Sequence, residues 1–342
     1  MKLSPVIIAK VLYPIPFRTR KSSLSAPMVL CLKTRKSRTL PGSSKMKNLI
    51  VVTGGAGFVG SNLIELLLKK TNYQIISLDN YSTGLKKNHI KSKRVKYLKG
   101  NTSNINTILR KYKKKINSIF HFGEFSRIFQ SFKKFDECYQ SNSIGSKAVF
   151  KFCLDYNIKL IYSATSASLG NKGNDKNLSP YAFTKSKNIE LLENFKKWFN
   201  FKFEVIFFYN VYGPKQIRVG DMATVIGIFE HQYLNKKSLS VVKPGTQTRR
   251  FTHINDTIQT CYEAFKADKC KYYSISNKNS YSILEVAKMF KRKIKFLRPR
   301  LGERYASALT KISSNNKISQ KYGKLQLKDY VSSFIKTHNY EN

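Results

Sequence analysis

A tyrosine and a lysine lie four residues apart, at Tyr181 and Lys185, in the segment LSPYAFTKSKNIELLENF. In a helix this spacing places both side chains on one face, one turn apart. Pro180 fits the first turn of such a helix, because its missing N–H would have no partner there. A phenol has an ordinary pKa of about 10, and a neighbouring ammonium group favours its phenolate form. The pair predicts a general base for an alcohol, although a solvated helix face fits the same spacing.

A glycine-rich turn provides the context that decides between these interpretations. The segment VVTGGAGFVGSN carries Gly54, Gly57 and Gly60 directly after a strand-like run and at the start of an amphipathic stretch. Glycines there allow a sharp turn, let a pyrophosphate approach the backbone, and let the helix pack on the sheet. Asp79 ends the next strand-like run, where a carboxylate accepts hydrogen bonds from an adenosine ribose. Because Asp79 would repel a 2′-phosphate, the pattern predicts NAD rather than NADP.

Short apolar runs alternate with amphipathic stretches from Asn48 onward, as in NLIVVT, FVGSNLIELLLKK, YQIISLD and NSIFHFG. This alternation predicts parallel βαβ units and an α/β fold with a doubly wound Rossmann sheet. After about Gly213 the alternation loosens into helices and smaller pieces. We therefore predict a NAD-binding Rossmann domain over residues 46–213, and mainly a smaller C-terminal α/β substrate-binding lobe over residues 214–342.

Residues 1–45 contain no acidic residue and are rich in Lys, Arg and Ser. Such a composition is typical of an organelle transit peptide. A disordered or untranslated upstream stretch, with Met46 as the true start, fits equally well. We therefore expect a basic N-terminal extension outside the fold, and a cytoplasmic protein, or an organellar one if the extension is a transit peptide.

The formal net charge of +44 suggests a polyanionic partner at first sight. The lysines, however, are spread along nearly every segment instead of forming an Arg-rich arm or an aromatic-basic module. The distribution therefore argues against nucleic acid as a partner. No apolar stretch reaches the ~18 to 20 residues that a membrane span needs. The five cysteines lack the close pairs of a zinc site or a disulfide framework, so we predict a reduced compartment and no metal.

The spacing GxxGxxG, preceded by Thr53, and the motif YAFTK together resemble the extended short-chain dehydrogenase/reductase superfamily. The resemblance is strongest to its NAD-dependent sugar-nucleotide epimerase/dehydratase branch, the UDP-glucose 4-epimerase-like proteins. It covers the chain from Met46 to about Tyr330. It implies a Rossmann fold, bound NAD, a nucleotide-sugar substrate, and a homodimer formed through helices that include the Tyr181 helix. Further motifs match in order: DNYSTG, IFHFGE, NSIG, YSATSASLGN, FFYNVYGP, PGTQTRRFTHINDT and PRLGER.

The resemblance also implies roles for individual residues. Tyr181 is the base, Lys185 also holds the nicotinamide ribose, and Thr165 is the hydroxyl that binds the reacting oxygen, with Ser163 and Ser166 as neighbours that could replace it. The implied cofactor-binding residues are Gly54, Gly57, Phe58, Val59, Gly60, Asp79, Asn80, Asn101, Thr102, Phe122, Gly123, Asn142, Tyr181 and Lys185. The implied substrate-binding residues are Thr165, Ser166, Asn210, Arg249, Arg300 and Glu303.

Residues that are missing narrow the reaction. In the family's 4,6-dehydratases an Asp-Glu pair follows this threonine, and in its UDP-glucuronate decarboxylases a Glu lies nearby, whereas Ser166, Ala167 and Ser168 follow Thr165 in this chain. We therefore expect a UDP-hexose 4-epimerase that recycles its NAD through a 4-keto intermediate. The alternatives are another nucleotide-sugar oxidoreductase of the family (a 4-ketoreductase, dehydratase or decarboxylase) and a non-catalytic protein that binds nucleotides or polyanions.

Four residues depart from the family pattern. Asn101 replaces the usual acid near adenine, and Arg250 stands where an Asp is common. Glu124 and Arg127 occupy positions that are usually small or apolar. Because Asn101 can still form a hydrogen bond with adenine, we expect NAD binding to persist, and we expect Glu124 and Arg127 to bear on sugar specificity.

Overall fold

The computed structural model describes residues 47–267, 271–299 and 318–338, apart from the side chains of residues 170–173. The predicted N-terminal extension lies outside the described residues. So do two predicted substrate-binding residues, Arg300 and Glu303.

Eight parallel strands form the central sheet, in the order β14-β11-β6-β5-β4-β1-β2-β3. The order reverses at β1, so the carboxyl ends of β1 and β4 flank the switch point where such sheets bind ligands. The predicted doubly wound α/β fold is confirmed. The strands, numbered along the chain, are β1 (Leu49–Thr53), β2 (Gln74–Asp79), β3 (Val95–Lys99), β4 (Ile116–His121), β5 (Lys159–Thr165), β6 (Phe203–Phe208), β7 (Val211–Tyr212), β8 (Leu239–Val242), β9 (Thr248–Arg250), β10 (Thr252–His253), β11 (Tyr272–Ser276), β12 (Ser280–Ser282), β13 (Ile294–Leu297) and β14 (Ile318–Tyr322).

Helices cover both faces of this sheet. Neighbouring β1 residues point to opposite faces: Val51 packs in a core with Phe150, and Ile50 packs in a second core with Leu63. None of the described helices has the length and apolar composition that a membrane crossing requires. The α-helices are α1 (Phe58–Lys70), α2 (Ile105–Leu109), α3 (Ile128–Lys133), α4 (Phe135–Tyr139), α5 (Ser146–Asp155), α6 (Pro180–Phe199), α7 (Val225–Leu234), α8 (Ile254–Ala267), α9 (Ile283–Met289) and α10 (Leu327–His338), with a π-helical segment, Gln140–Gly145, between α4 and α5.

The later part of the chain builds a third core and also extends the sheet. Tyr212, Phe229, Val286 and Phe290 are buried in this core, which includes residues of α7, α9 and α10. Three small strand pairs, β7 with β10, β8 with β13 and β9 with β12, accompany it. Strands β11 and β14, however, belong to the large sheet. The C-terminal part therefore contributes both to its own core and to the large sheet. The predicted division at residue 213 stays a prediction.

Candidate active site and cofactor cleft

The glycine turn joins β1 to α1 in a conformation that leaves no room for a side chain at Gly54 or Gly60. Gly54 has a φ of 69°, in the left-handed region that favours glycine. A Cβ atom on Gly60 would lie 2.2 Å from the carbonyl oxygen of Gly54. Because Gly57, the N-cap of α1, has no side chain to accept from them, the first N–H groups of this helix can bind a pyrophosphate. The residues present therefore fit a dinucleotide, with Phe58 and Val59 in the first turn of the helix.

Asp79 closes β2 beside this turn, as predicted. Its side chain is buried, and its two carboxylate oxygens accept hydrogen bonds from the backbone N–H groups of Ala56 at 2.9 Å and Tyr81 at 2.8 Å. Burial raises the pKa of Asp79 above its ordinary value. An ionised carboxylate has about four acceptor sites, so this one retains capacity for ribose hydroxyls.

Two asparagines, one after β2 and one after β3, form a hydrogen bond with each other. The Asn80 side-chain amide donates to Asn101 Oδ1 at 2.9 Å, and Asn80 Oδ1 accepts from the backbone N–H of Ser82 at 3.0 Å. The structure therefore brings together Asn80 and Asn101, which were predicted to bind the cofactor. Asn101 retains its own NH2 group for an adenine nitrogen.

Thr102, Phe122 and Gly123 lie around the carboxyl end of β4. A Cβ atom on Gly145 would lie 2.3 Å from Thr102 Oγ1, so only a glycine there allows this approach. The backbone N–H groups of Phe122 and Gly123 each donate to Thr53 Oγ1 at 3.1 Å. These predicted cofactor residues therefore converge at the switch point between β1 and β4. Their contacts with NAD stay predictions.

Helix α6 begins where the sequence predicts. Ser179 is its N-cap, with Oγ accepting from the backbone N–H of Ala182 at 3.1 Å, and Pro180 opens the helix. The N–H of Tyr181 donates to Ser131 Oγ of α3 at 3.2 Å. Tyr181 is half-buried, whereas Lys185, one turn later, is buried. The predicted common face of these two residues is therefore present.

The Lys185 ammonium group anchors α6 to the sheet. Its Nζ donates to the carbonyl oxygen of Ser163 in β5 at 2.6 Å and lies 4.8 Å from the ring centroid of Tyr162. It also forms a short ion pair with Glu124 Oε2. These contacts bring the first turn of α6 to the end of β5, where Thr165 lies.

Glu124 is a buried acidic residue whose partner the sequence does not reveal. Only 2% of its side chain is exposed. Besides the ion pair with Lys185, Glu124 Oε1 accepts from Ser146 Oγ at 2.7 Å, Tyr162 Oη at 3.0 Å and Asn188 Nδ2 at 3.1 Å. The expectation that Glu124 bears on sugar specificity stays a prediction. The sequence signal was an acidic residue shortly after an apolar strand, separated from it by Phe122 and Gly123.

His121 extends this polar network toward the cofactor turn. Its Nδ1 lies 2.7 Å from Thr53 Oγ1, and its Nε2 lies 2.9 Å from Ser146 Oγ. Because Ser146 donates its proton to Glu124, it accepts from His121 Nε2–H, so Nδ1 accepts the proton of Thr53. Burial lowers the pKa of His121 to about 4, although the Glu124 carboxylate opposes the shift. The imidazole is therefore neutral near neutral pH.

This buried histidine should make the protein less stable in mild acid. The folded pKa of about 4 lies below the ordinary value of 6.5, so the unfolded chain binds more protons between these pH values. The contribution of His121 to the free energy of unfolding is therefore complete above pH 6.5. It is lost as the pH is lowered toward 4, by up to about 3 kcal/mol. Urea unfolding across this range should show a smaller loss in His121→Gln than in the wild type. His231→Gln, outside the network, should keep the wild-type slope; an unchanged slope in His121→Gln would contradict the assignment.

Thr165 ends β5 with a hydroxyl suited to binding a substrate oxygen. Its Oγ1 accepts from the backbone N–H of Ala167 at 3.1 Å, and a hydroxyl that accepts one bond still has its own proton to donate. Ser163 is less suited, because its hydroxyl donates to the carbonyl oxygen of His121 at 3.0 Å. Ser166 follows directly and is half-buried. The geometry therefore favours Thr165 over Ser163 for the predicted role.

Asn142 lies in the π-helical segment and is fully buried. Its amide pairs with the backbone of Phe125, with Oδ1 accepting the N–H at 2.7 Å and Nδ2 donating to the carbonyl at 3.1 Å. Nδ2 also donates to Thr184 Oγ1 on α6 at 3.3 Å. Asn142 therefore holds the loop after β4 against the Tyr181 helix, and its predicted contact with the cofactor stays a prediction.

The predicted substrate-binding residues Asn210 and Arg249 lie close together. Asn210 has a φ of 35°, and its Nδ2 donates to the carbonyl oxygen of Arg250 at 2.8 Å. Arg249 precedes that carbonyl in β9. The Arg250 guanidinium is used structurally, donating to the carbonyl oxygens of Asn277 at 2.9 Å and Lys278 at 2.7 Å. In the described parts of the chain, no three His, Cys, Asp or Glu side chains are grouped to hold a metal.

Comparisons with known proteins identify the family and the fold. The model of the NAD-dependent epimerase/dehydratase family matches residues 50–276. A Bacillus subtilis protein described as an uncharacterized UDP-glucose epimerase, YtcB, is 30% identical over 229 residues, 61% of this chain and 70% of that protein. UDP-glucuronic acid decarboxylase 6 of Arabidopsis thaliana is 25% identical over 263 residues, 72% of this chain and 74% of that protein. The solved UDP-glucose 4-epimerase of Thermus thermophilus, in complex with NAD, has a TM-score of 0.73 at 19% identity, covering 85% of this chain and 99% of that one.

Proposed function

This chain belongs to the NAD-dependent epimerase/dehydratase family, and from that premise we propose that it is a nucleotide-sugar 4-epimerase acting on a UDP-hexose. NAD is the cofactor of the family. Relatives with epimerase and decarboxylase names both match, so the family alone leaves the reaction open. The observation that carries the proposal is a set of three residues: Thr165 at the end of β5, and Tyr181 and Lys185 near the start of α6. Ser166, Ala167 and Ser168 follow the threonine, in place of carboxylates.

When bound, NAD would supply hydride transfer at the sugar C4, and the residues of the chain would handle the proton. Tyr181, as the general base, would take the proton of the C4 hydroxyl. Thr165 donates a hydrogen bond to the same oxygen and holds it in place. After the 4-keto sugar has rotated to present its opposite face, Tyr181 returns its proton to the C4 oxygen. Because one proton and one hydride leave and both return, the product has the formula of the substrate.

The alternative reactions of the family need a carboxylate that can reach the sugar. Ser168 Oγ donates to the carbonyl oxygen of Thr165 at 2.7 Å, and Ala167 has no ionisable group. Glu124 lies nearby, but its oxygens accept from Lys185, Ser146, Tyr162 and Asn188 and it is almost fully buried. This support favours epimerisation over dehydration and decarboxylation.

We expect the diphosphate of the substrate to bind beside β9. Arg249 in β9 supplies a guanidinium, which can bond two phosphate oxygens at once. Asn210 Nδ2 donates a hydrogen bond to the carbonyl oxygen of Arg250, the residue that follows Arg249. Arg300 remains a predicted second guanidinium outside the described residues. These assignments support a nucleotide-diphosphate sugar as substrate.

The decisive experiment incubates purified protein with UDP-glucose, UDP-galactose and their N-acetyl forms, without added NAD. The C4 epimer should form, and in D2O the C4 position should retain its original hydrogen, because the hydride never exchanges with solvent. A substrate deuterated at C4 should react more slowly and keep its label. A product with a changed formula, deuterium from solvent at C4, or stoichiometric consumption of NADH or NADPH would contradict the proposal.

A homodimer is the second part of the proposal, and the outer face of the α4 and α6 region supports it. Phe135, Tyr139 and Phe183 are 52%, 43% and 40% exposed, and the rings of Phe135 and Tyr139 stack with centroids 5.9 Å apart. Exposed aromatic side chains of this kind suit a self-complementary interface.

Sedimentation of a Phe183→Lys variant tests this interface. We expect the dissociation constant of the dimer to rise by about 30-fold, corresponding to about 2 kcal/mol, because a charge replaces a central aromatic residue. Phe296→Lys is the matched control, since Phe296 is 45% exposed on β13. A Phe183→Lys protein with wild-type association would show that this face is not the interface.

A further inference from the structure

We propose that Glu124 is a positioning residue for Lys185, and that the nicotinamide half of the dinucleotide binds at full strength only while this carboxylate holds the lysine. The inference deepens the proposed function, because it rests on the same cofactor cleft. Three sets of contacts carry it: the acceptors of the lysine, the donors around the carboxylate, and the hydrogen bonds that connect both to the glycine turn.

Lys185 lies on the side of the switch point to which the nicotinamide half extends. The glycine turn follows β1 and Asp79 ends β2, so the pyrophosphate and the adenosine ribose belong to that side of the sheet. A dinucleotide that crosses the switch point continues from there past β4 toward β5. The Lys185 ammonium group donates to the carbonyl oxygen of Ser163 at 2.6 Å, which places it near the carboxyl end of β5.

Two acceptors hold the lysine and leave it one donor. Its Nζ donates to the Ser163 carbonyl oxygen and to Glu124 Oε2. An ammonium group has three N–H bonds, and no other acceptor among the described residues takes the third. Only 5% of the lysine side chain is exposed. The direction of the remaining N–H is therefore fixed by the other two, and a ribose hydroxyl of the nicotinamide half is a suitable acceptor for it.

The surroundings of Glu124 suit a carboxylate and no neutral amide. In the described parts of the chain, all four groups within hydrogen-bond range are donors: Ser146 Oγ, Tyr162 Oη and Asn188 Nδ2 to Oε1, and Lys185 Nζ to Oε2. A glutamine amide would turn its NH2 group toward donors in either orientation. It would also leave the buried ammonium group without a negative partner. Glu124→Gln should therefore release the lysine from its position without removing it.

A chain of hydrogen bonds connects this carboxylate to the glycine turn. Ser146 Oγ, which donates to Glu124, lies 2.9 Å from His121 Nε2. His121 Nδ1 lies 2.7 Å from Oγ1 of Thr53, the residue before Gly54. The three intervening side chains, of Thr53, His121 and Ser146, are buried. Buried polar groups therefore join the two halves of the cleft, with Glu124 at the end that carries the lysine.

The experiment titrates nucleotide-free protein with NADH and with ADP and follows binding by calorimetry. ADP reaches the glycine turn and Asp79, whereas NADH also reaches Lys185. In Glu124→Gln the dissociation constant for NADH should rise about 10-fold, the loss of one charge-assisted hydrogen bond, and that for ADP should stay unchanged. Damage to the whole fold would weaken both ligands. Glu190→Gln breaks an exposed ion pair of the same helix and, as the matched control, should leave both constants at their wild-type values.

A double-variant cycle shows whether Glu124 acts through the lysine. Lys185→Met should bind NADH about as weakly as Glu124→Gln, and the variant with both substitutions should be no weaker than Lys185→Met alone. The double variant should also unfold at a higher urea concentration than Glu124→Gln, since it no longer buries an unpaired ammonium group. If Glu124→Gln alone fails to fold, the comparison of the double variant with Lys185→Met decides by itself.

A selective loss of NADH affinity in Glu124→Gln, absent when Lys185 is already methionine, supports the inference. Unchanged NADH affinity in Glu124→Gln or in Lys185→Met, an equal loss for ADP, or a double variant weaker than Lys185→Met overturns it. The titrations need no turnover. A protein that shows the expected binding but epimerises no sugar nucleotide therefore refutes the proposed function alone, and an active epimerase whose Glu124→Gln variant binds NADH normally refutes the inference alone.

Discussion

Replacing Tyr181 with phenylalanine should reduce turnover by about a thousandfold, because general acid–base catalysis contributes about 10² to 10⁴ in rate. The substitution removes one hydroxyl and keeps the ring. It leaves the backbone bond from Tyr181 N–H to Ser131 Oγ in place. The glycine turn and Asp79 are also unchanged, so NAD should remain bound. Single-turnover epimerisation and the NAD content of the purified protein are the measurements.

Tyr322→Phe is the matched control for this experiment. Tyr322 ends β14 and is 51% exposed, away from the ends of β5 and α6. Its variant should keep wild-type turnover. A fully active Tyr181→Phe protein would remove Tyr181 from the role of base and with it the proposed mechanism. Loss of NAD from that variant would show that the tyrosine holds the cofactor as well.

Replacing Gly60 with alanine should abolish NAD binding and also lower the stability of the nucleotide-free protein. The new Cβ would lie 2.2 Å from the carbonyl oxygen and 2.8 Å from the carbonyl carbon of Gly54. Both atoms belong to the backbone, so the turn has to move. We expect a loss of about 3 kcal/mol, at the upper end of the usual cost of overpacking. Urea unfolding without nucleotide and thermal shift with NAD measure the two effects.

Gly57→Ala separates folding from binding in this turn. A Cβ on Gly57 meets the Gly54 carbonyl oxygen at 3.1 Å, a tight contact that a small movement relieves. Its methyl group would nevertheless stand at the N-terminus of α1, where the pyrophosphate is expected. We therefore expect nearly normal stability and weakened NAD binding. If Gly60→Ala binds NAD as the wild type does, the cofactor does not lie on this turn.

The start of the Tyr181 helix and the sheet itself follow from local sequence signals. Ser179 and Pro180 define the helix start within a few residues, because capping and a fixed proline φ act locally. The alternation of apolar strands and amphipathic helices predicts the parallel sheet for the same reason. The glycine spacing predicts the turn because neighbouring backbone atoms leave no room for a Cβ.

The strand membership of the C-terminal part is a matter of tertiary structure. The sequence predicts a looser second lobe after residue 213, yet β11 and β14 join the large sheet at the far side of β6. A short apolar run fits a large sheet and a small strand pair equally well. Only the packing of the whole chain selects its neighbours.

The sequence by itself determined the glycine turn and the helical spacing of Tyr181 and Lys185, because each depends on contacts between residues near in the chain. It also indicated the Rossmann sheet, through the alternation of strand-like and helix-like segments, although the strands that pair lie far apart in the chain. Tertiary structure alone decided that the lysine pairs with Glu124, which is 61 residues away, and that donors from α5, β5 and α6 surround this carboxylate. The physical reason is that a buried charge has to find its partner in space. No spacing along the chain encodes that partner.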